Sequence, residues 1–249
     1  MTGTPWGFWG KIVTDTDGGV TAWHPLVAHC ADVAACVEAF LQRTIVSRRL
    51  ARLSGDGEFS EAQIGRLCVL AAIHDFGKFS TGFQNKAFHR LPQCGHLSEA
   101  LGLFSDQRFS ERIANLLDFE RFATWFDDAE GMLIATVSHH GRPVPTHSRI
   151  IGEWWEAARG LDPFDGIGEL VAATERGFPA AWTEPESGLH TPPAFQHMWT
   201  GLVTLSDWIG SDRERFFPFL SDESDERMPT ARKNAADALS GLGLDVRRA

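Results

Sequence analysis

Positive charge is in short supply in this sequence. Across 249 residues, 23 Lys and Arg stand against 33 Asp and Glu, a formal net charge of −10. A broad basic face of the kind that grips nucleic acid is therefore not expected. Bound cations would neutralise part of that charge, so a phosphodiester substrate would need metal ions or a partner protein to hold it. Cysteine is sparse too. Cys30, Cys36, Cys68 and Cys94 form no C-x-x-C pair and read as reduced, small core residues. No segment approaches the roughly 18 consecutive apolar residues of a membrane span. The start, MTGTPWGFWGK, lacks the basic region followed by an apolar region of a secretory signal. A cytoplasmic protein with no membrane partner is expected. No G-x-x-x-x-G-K-[ST] phosphate loop occurs either, so a nucleotide-driven motor is not expected within these residues.

What is present is ordinary globular material, 43% hydrophobic and 22% charged, with helical periodicity through most of its length. After an irregular, glycine-rich entry (3–19), HPLVAHCADVAACVEAFLQ places Leu26, Cys30, Val33, Val37 and Phe40 at a helical period, with His29 facing inward beside them. Ser60 is the expected N-cap of a second helix. That helix carries His74 and Asp75 on the extension of its buried face, with Gly77 marking its end. Residues 79–95 read as turns, and a short helix begins near His96 or Leu97. Further helices are expected over 110–126, 129–139, 147–159 and 166–176, and over AFQHMWTGLVTLSDWIGS. No strand pattern is strong enough to assign. ARKNAADALSGLGL reads as a short helix or a linker. The expectation is an all-α fold, with residues 1–220 as one domain and 221–249 as a charged tail or linker.

The inward-facing polar residues are His29, His74, Asp75, His96, His139, His140 and Asp207. Imidazoles and carboxylates together suit divalent transition metals. Buried without a metal, they would leave costly unsatisfied groups. Taken singly, each has a plainer reading: a core histidine, a loop doublet, a helix cap or, for Lys78, a solvated surface lysine. The ordered set H…HD…H…HH…D, with each member in a helical apolar context, favours a shared metal site. His24, His89, His147, His190 and His197 are read as outside it, and His89 competes with His96 for one position.

The runs PWGFWGKI, HPLVAHCADVAACV, HDFGKFSTGFQ, GHLSEAL, SHHG and LVTLSDWIGSDRERFFPF span residues 5–219. They resemble the HD nuclease domain of the CRISPR-associated protein Cas3, within the HD phosphohydrolase superfamily. The resemblance implies a compact HD-domain helical bundle with a two-metal site between helices. One metal would be held by His29, His74, Asp75 and Asp207, and the other by His96, His139 and His140, with Asp75 shared. The ions implied are Mn, Fe, Co or Ni, with Mg less suited because it prefers oxygen ligands. Asp75 and Lys78 would be catalytic, Lys78 neutralising charge on the phosphoryl oxygens. The implied activity is endonucleolytic hydrolysis of single-stranded DNA in antiviral defence. The implied partners are a Cas3 helicase, separate or missing here, and an RNA-guided surveillance complex. Trp6, Trp9, Trp23, Phe79 and Phe83 are either core residues or platforms for unpaired bases.

Two other readings compete. One is an HD-type phosphohydrolase of a nucleotide or cyclic dinucleotide. The cyclic-dinucleotide enzymes carry a GYP signature where SHHG here runs into RPVPTH. The other is a degenerate, non-enzymatic module, against which the complete ligand set argues.

Overall fold

The protein is represented by a computed structural model that describes residues 7–88, 91–141, 152–183, 188–219 and 227–245. The chain opens with strands β1 (Trp9–Thr14) and β2 (Val20–Pro25), an antiparallel hairpin that replaces part of the irregular entry expected from sequence. Its turn is built by Asp15, whose Oδ1 accepts from the amides of Asp17 and Gly19, with Gly18 at φ 81°. Register shifts at Trp9/Lys11 and Val13/Thr14 break the strict alternation by which a strand is recognised in sequence.

Eleven α-helices follow among the described residues. In order they are α1 (Leu26–Arg43), α2 (Val46–Leu53), α3 (Glu61–Ala72), α4 (Thr81–Gln84), α5 (Leu97–Ser105) and α6 (Ser110–Leu116). Then come α7 (Phe119–Trp125), α8 (Ala129–Val137), α9 (Pro163–Gly177), α10 (Pro193–Gly210) and α11 (Arg227–Gly241). The fold is thus the helical one expected, with one small sheet added. None of these helices is long and apolar enough to cross a membrane.

Helix α1 is the central element, with α3, α10 and α11 packed on it. Leu26, Cys30, Val33 and Val37 have no exposed surface, and Phe40 is nearly as buried. At about 1.5–3 kcal/mol for each large apolar side chain buried, tertiary packing rather than helix propensity holds this element. Helix α3 begins at the expected residue. Ser60 Oγ accepts from the Gln63 amide, and Gln63 Oε1 accepts from the Ser60 amide, a reciprocal cap. Cys30, Cys36 and Cys68 are free, fully buried thiols, and burial raises all three well above the ordinary range.

Some element expectations change, and one open alternative is decided in favour of helix. The helix expected over 110–126 is broken, because Asp118 takes φ 44° and its carboxylate accepts from the Arg121 amide, starting α7 afresh. The helix expected over 147–159 is, in its described part, only a 3-10 turn over Gly152–Trp155; residues 147–151 lie outside the described residues. The segment read as a short helix or linker near the C-terminus forms α11. Its Arg227 donates from Nε and Nη2 to Asp32 of α1, both at 2.8 Å.

Candidate metal centre

At Ile73 the α3 helix tightens into a 3-10 turn, Ile73–Phe79, and this turn carries His74, Asp75 and Lys78. Tightening to three residues per turn sets Lys78 directly above Asp75, and the ammonium reaches Asp75 Oδ2 at 2.5 Å. Gly77 has a different task from the helix terminator expected of it. A side chain there would collide with the His96 carbonyl and with Ala100 Cβ. Glycine lets the start of α5 approach the turn and carries His96 with it.

The structure brings all seven sequence-named candidate ligands together in two adjoining groups, His29–His74–Asp75–Asp207 and His96–His139–His140. Asp75 links them. Its Oδ2 lies 3.3 Å from His29 Nε2 and 3.2 Å from His74 Nε2. Its Oδ1 lies 3.1 Å from His96 Nε2 and 3.7 Å from His139 Nε2. Asp207 closes the first group, with Oδ1 at 3.2 Å from His29 Nε2 and 3.9 Å from His74 Nε2. His140 Nε2 is 3.3 Å from His96 Nε2 in the second. The first group is buried throughout, whereas His140 is exposed and opens the second to solvent.

Two histidines are locked with Nε2 pointing inward. His74 Nδ1 meets the Ala71 carbonyl at 2.9 Å, and His139 Nδ1 meets the Thr136 carbonyl at 3.1 Å. A ring whose Nδ1 donates to a carbonyl presents a bare Nε2 lone pair, the state a metal ligand requires. His29 Nε2, His74 Nε2, His139 Nε2 and both Asp75 oxygens are buried and make no hydrogen bond of acceptable geometry. Convergent lone pairs of this kind are costly alone and are reconciled by cations. The donor set therefore fits divalent metal ions.

Electrostatics point the same way. Burial pushes His29 and His96 toward their neutral forms, more strongly than the neighbouring carboxylates oppose it. Burial, reinforced by His74, lowers His139 to about 3. Burial opposes ionisation of Asp75, yet Lys78, His74 and His96 outweigh it and hold the carboxyl well below the usual carboxylate range. Asp207 is lowered in the same way, chiefly by His29 and Lys11 against burial. Neutral imidazoles and ionised carboxylates are the ligating forms.

The other histidines are elsewhere. His24 is buried, with Nε2 at 2.7 Å from Asp32 Oδ2 and its ring stacked on Phe219. His190 pairs with Asp127 at the surface, and His197 is exposed on α10. His89 and His147 lie outside the described residues. Lys78 is only 6% exposed, so the surface-lysine reading fails; its Nζ also donates to the Gly10 carbonyl at 3.3 Å. Trp9, Phe79 and Phe83 are buried, Trp23 is half-buried, and Trp6 lies outside the described residues.

Sequence reasoning missed the hairpin and its Lys11, whose Nζ reaches Asp207 Oδ1 at 3.2 Å. Trp9 anchors the hairpin through two bonds to the Gln84 side chain, and Gly10 packs against His29. The Asp-Gly step between runs of β-branched residues was the available signal.

The profile of the family described as Cas3, HD domain, matches residues 9–216. No curated protein matches the sequence. Among solved structures, a CRISPR-associated protein is 25% identical with a TM-score of 0.70, over 98% of this chain and 28% of its own. The Thermus thermophilus Cas3 HD domain, crystallised in the presence of Ni2+, is 23% identical with a TM-score of 0.61, over 88% of this chain and 85% of its own. A chain of a CRISPR RNA-guided surveillance complex in its pre-nicking state is 18% identical with a TM-score of 0.65, over 95% of this chain and 28% of its own. The chain thus spans just over a quarter of the first and third of these, and most of the second. With its profile match across the hairpin, the histidine clusters and α10, this chain belongs to the Cas3 HD-domain family.

Proposed function

We propose that the protein is a metal-dependent endonuclease that hydrolyses phosphodiester bonds of single-stranded DNA in CRISPR antiviral defence. The observation that carries this reading is the division of Asp75, one oxygen toward each histidine group. His29, His74, Asp75 and Asp207 would hold one divalent ion, and His96, His139 and His140 a second, with Asp75 shared. When bound, such a pair supplies Lewis-acid stabilisation to a scissile phosphate and acidifies an attacking water. The nitrogen-rich ligand set favours Mn, Fe, Co or Ni over Mg.

The chain's own residues supply the rest. His74 and His139 are oriented by backbone carbonyls, so their lone pairs need no rearrangement. Lys78, expected to meet the phosphoryl oxygens, spends its charge on Asp75 and the Gly10 carbonyl. In this reading it is a positioning residue that keeps the shared carboxylate ionised and aimed. Burial of the first group excludes bulk water, and exposed His140 marks the side from which a phosphodiester arrives. A net charge of −10 gives the chain little affinity of its own for DNA. Strand delivery therefore falls to a helicase and, beyond it, an RNA-guided surveillance complex.

The test is metal-stripped protein on circular single-stranded DNA, with Mg, Mn, Co and Ni restored separately. Cleavage of the circle under a transition metal, abolished in Asp75→Ala, supports the proposal. Rapid turnover of nucleotides or cyclic dinucleotides with no DNA cleavage would replace it with the small-molecule phosphohydrolase reading.

A further inference from the structure

The two histidine groups differ in one respect that their ligand types do not reveal. The first group holds two carboxylates and is met by two ammonium groups. Lys78 Nζ lies 2.5 Å from Asp75 Oδ2, and Lys11 Nζ lies 3.2 Å from Asp207 Oδ1. These are the same oxygens that face His29 and His74. The two carboxylates of the first group are thus matched by two ammonium groups of the protein itself. The second group meets Asp75 only through Oδ1, and no lysine reaches that oxygen among the described residues.

The two lysines are not equivalent. Lys78 is confined by the 3-10 turn, by Gly10 and by the Phe83 ring 5.5 Å away. The Lys11 side chain is 28% exposed at the edge of the hairpin, on a flexible four-carbon stem with water within reach. Asp207 Oδ1 also accepts from Ser211 Oγ at 3.1 Å, so it remains oriented if the ammonium withdraws.

We propose that Lys11 is a place-holding cation for the His29–His74–Asp75–Asp207 position, neutralising Asp207 in the metal-free protein and swinging to solvent when a divalent ion enters. Lys11 then sets the affinity of this position alone and makes the two positions unequal. The inference rests on the metal-binding reading above and adds to it a residue that tunes loading. A neighbouring cation disfavours a dication at the same carboxylate oxygen. Changes in outer-shell partners move metal affinity by about 10–100-fold.

The test is calorimetric titration of the metal-free full chain with Mn2+ or Ni2+, comparing wild type, Lys11→Met and Lys11→Arg. The thermal midpoint of each metal-free protein is measured in parallel. Lys11→Met is expected to tighten one of two binding events about 10–100-fold and to lower the metal-free midpoint, because Asp207 loses its counter-charge. Lys11→Arg is expected to stay near wild type in both readouts. Metal uptake with unchanged or weakened affinity in Lys11→Met would overturn the place-holding role while leaving the metal site standing. No uptake by any of the three proteins would overturn the metal-binding reading and this inference together.

Discussion

The backbone carbonyl of His96 occupies the space that a side chain on Gly77 would need. The approach is close because His96 must bring Nε2 to 3.1 Å from Asp75 Oδ1 while Asp75 is held on the turn that contains Gly77. Gly77→Ala is therefore expected to destabilise by about 1–3 kcal/mol, as overpacking does. It should also lose metal from the second group before the first. Urea denaturation and metal analysis of the purified variant check both; a variant with wild-type stability and full metal content would show that the contact is slack.

Asp32 and Arg227 form a bidentate pair, the Asp32 side chain fully buried and that of Arg227 6% exposed. Removing Arg227 leaves the buried Asp32 carboxylate with His24 at 2.7 Å but without its bidentate counter-charge, at a cost of up to about 3–5 kcal/mol. Arg227→Met should lower stability by this amount and loosen α11 from α1. Adding Asp32→Asn should restore part of the loss. Denaturation midpoints of the single and double variants decide it, and an Arg227→Met midpoint equal to wild type would show that α11 is held by its apolar contacts alone.

The metal-free protein should lose stability steadily as pH falls from about 6.5 to about 3. An unfolded histidine takes up a proton through this range, whereas buried His139 resists it until about 3, and His29 and His96 are lowered in the same direction. The unfolded state then binds more protons than the folded one, so acid favours unfolding. Asp75 and Asp207, both lowered, extend the loss at the acid end. Denaturation at pH 7, 5 and 4 measures this, and a rise in stability toward pH 5 would contradict it.

His140 is exposed, while its neighbour His139 is buried. His140→Ala is expected to change stability by no more than about 0.5 kcal/mol, yet to weaken metal binding at the second group. Calorimetry should show one weakened event and one intact. Two unchanged events would remove His140 from the ligand set.

The ligands were legible in the sequence because each lies on a helix or at the end of one: His29 and Asp207 within α1 and α10, the other five just beyond α3, just before α5 or just after α8. His29 shares a face with Val33, Cys36 and Phe40, and all four are buried. His74 and Asp75 extend the buried face of α3, and the HDFGK run stands out against its surroundings. The supports were less legible. The bulge between Trp9 and Lys11 hides the strand period that would have revealed the hairpin. The fixing of α11 depends on Arg227 meeting a residue 195 positions away, and no local pattern encodes such a pairing. Asp118 breaks one expected helix by a left-handed φ that non-glycine residues adopt only occasionally. Gly77 was visible as a glycine, but its purpose is clearance for another segment, which only the packed structure displays.

Serving both histidine groups at once is the role proposed here for Asp75. The direct measurement is elemental analysis of metal bound per chain after loading with Mn2+ or Ni2+, in wild type and in the near-isosteric Asp75→Asn. Two ions per wild-type chain and depletion of both in the variant are expected, with helicity preserved by circular dichroism. Two ions retained by Asp75→Asn would contradict this role.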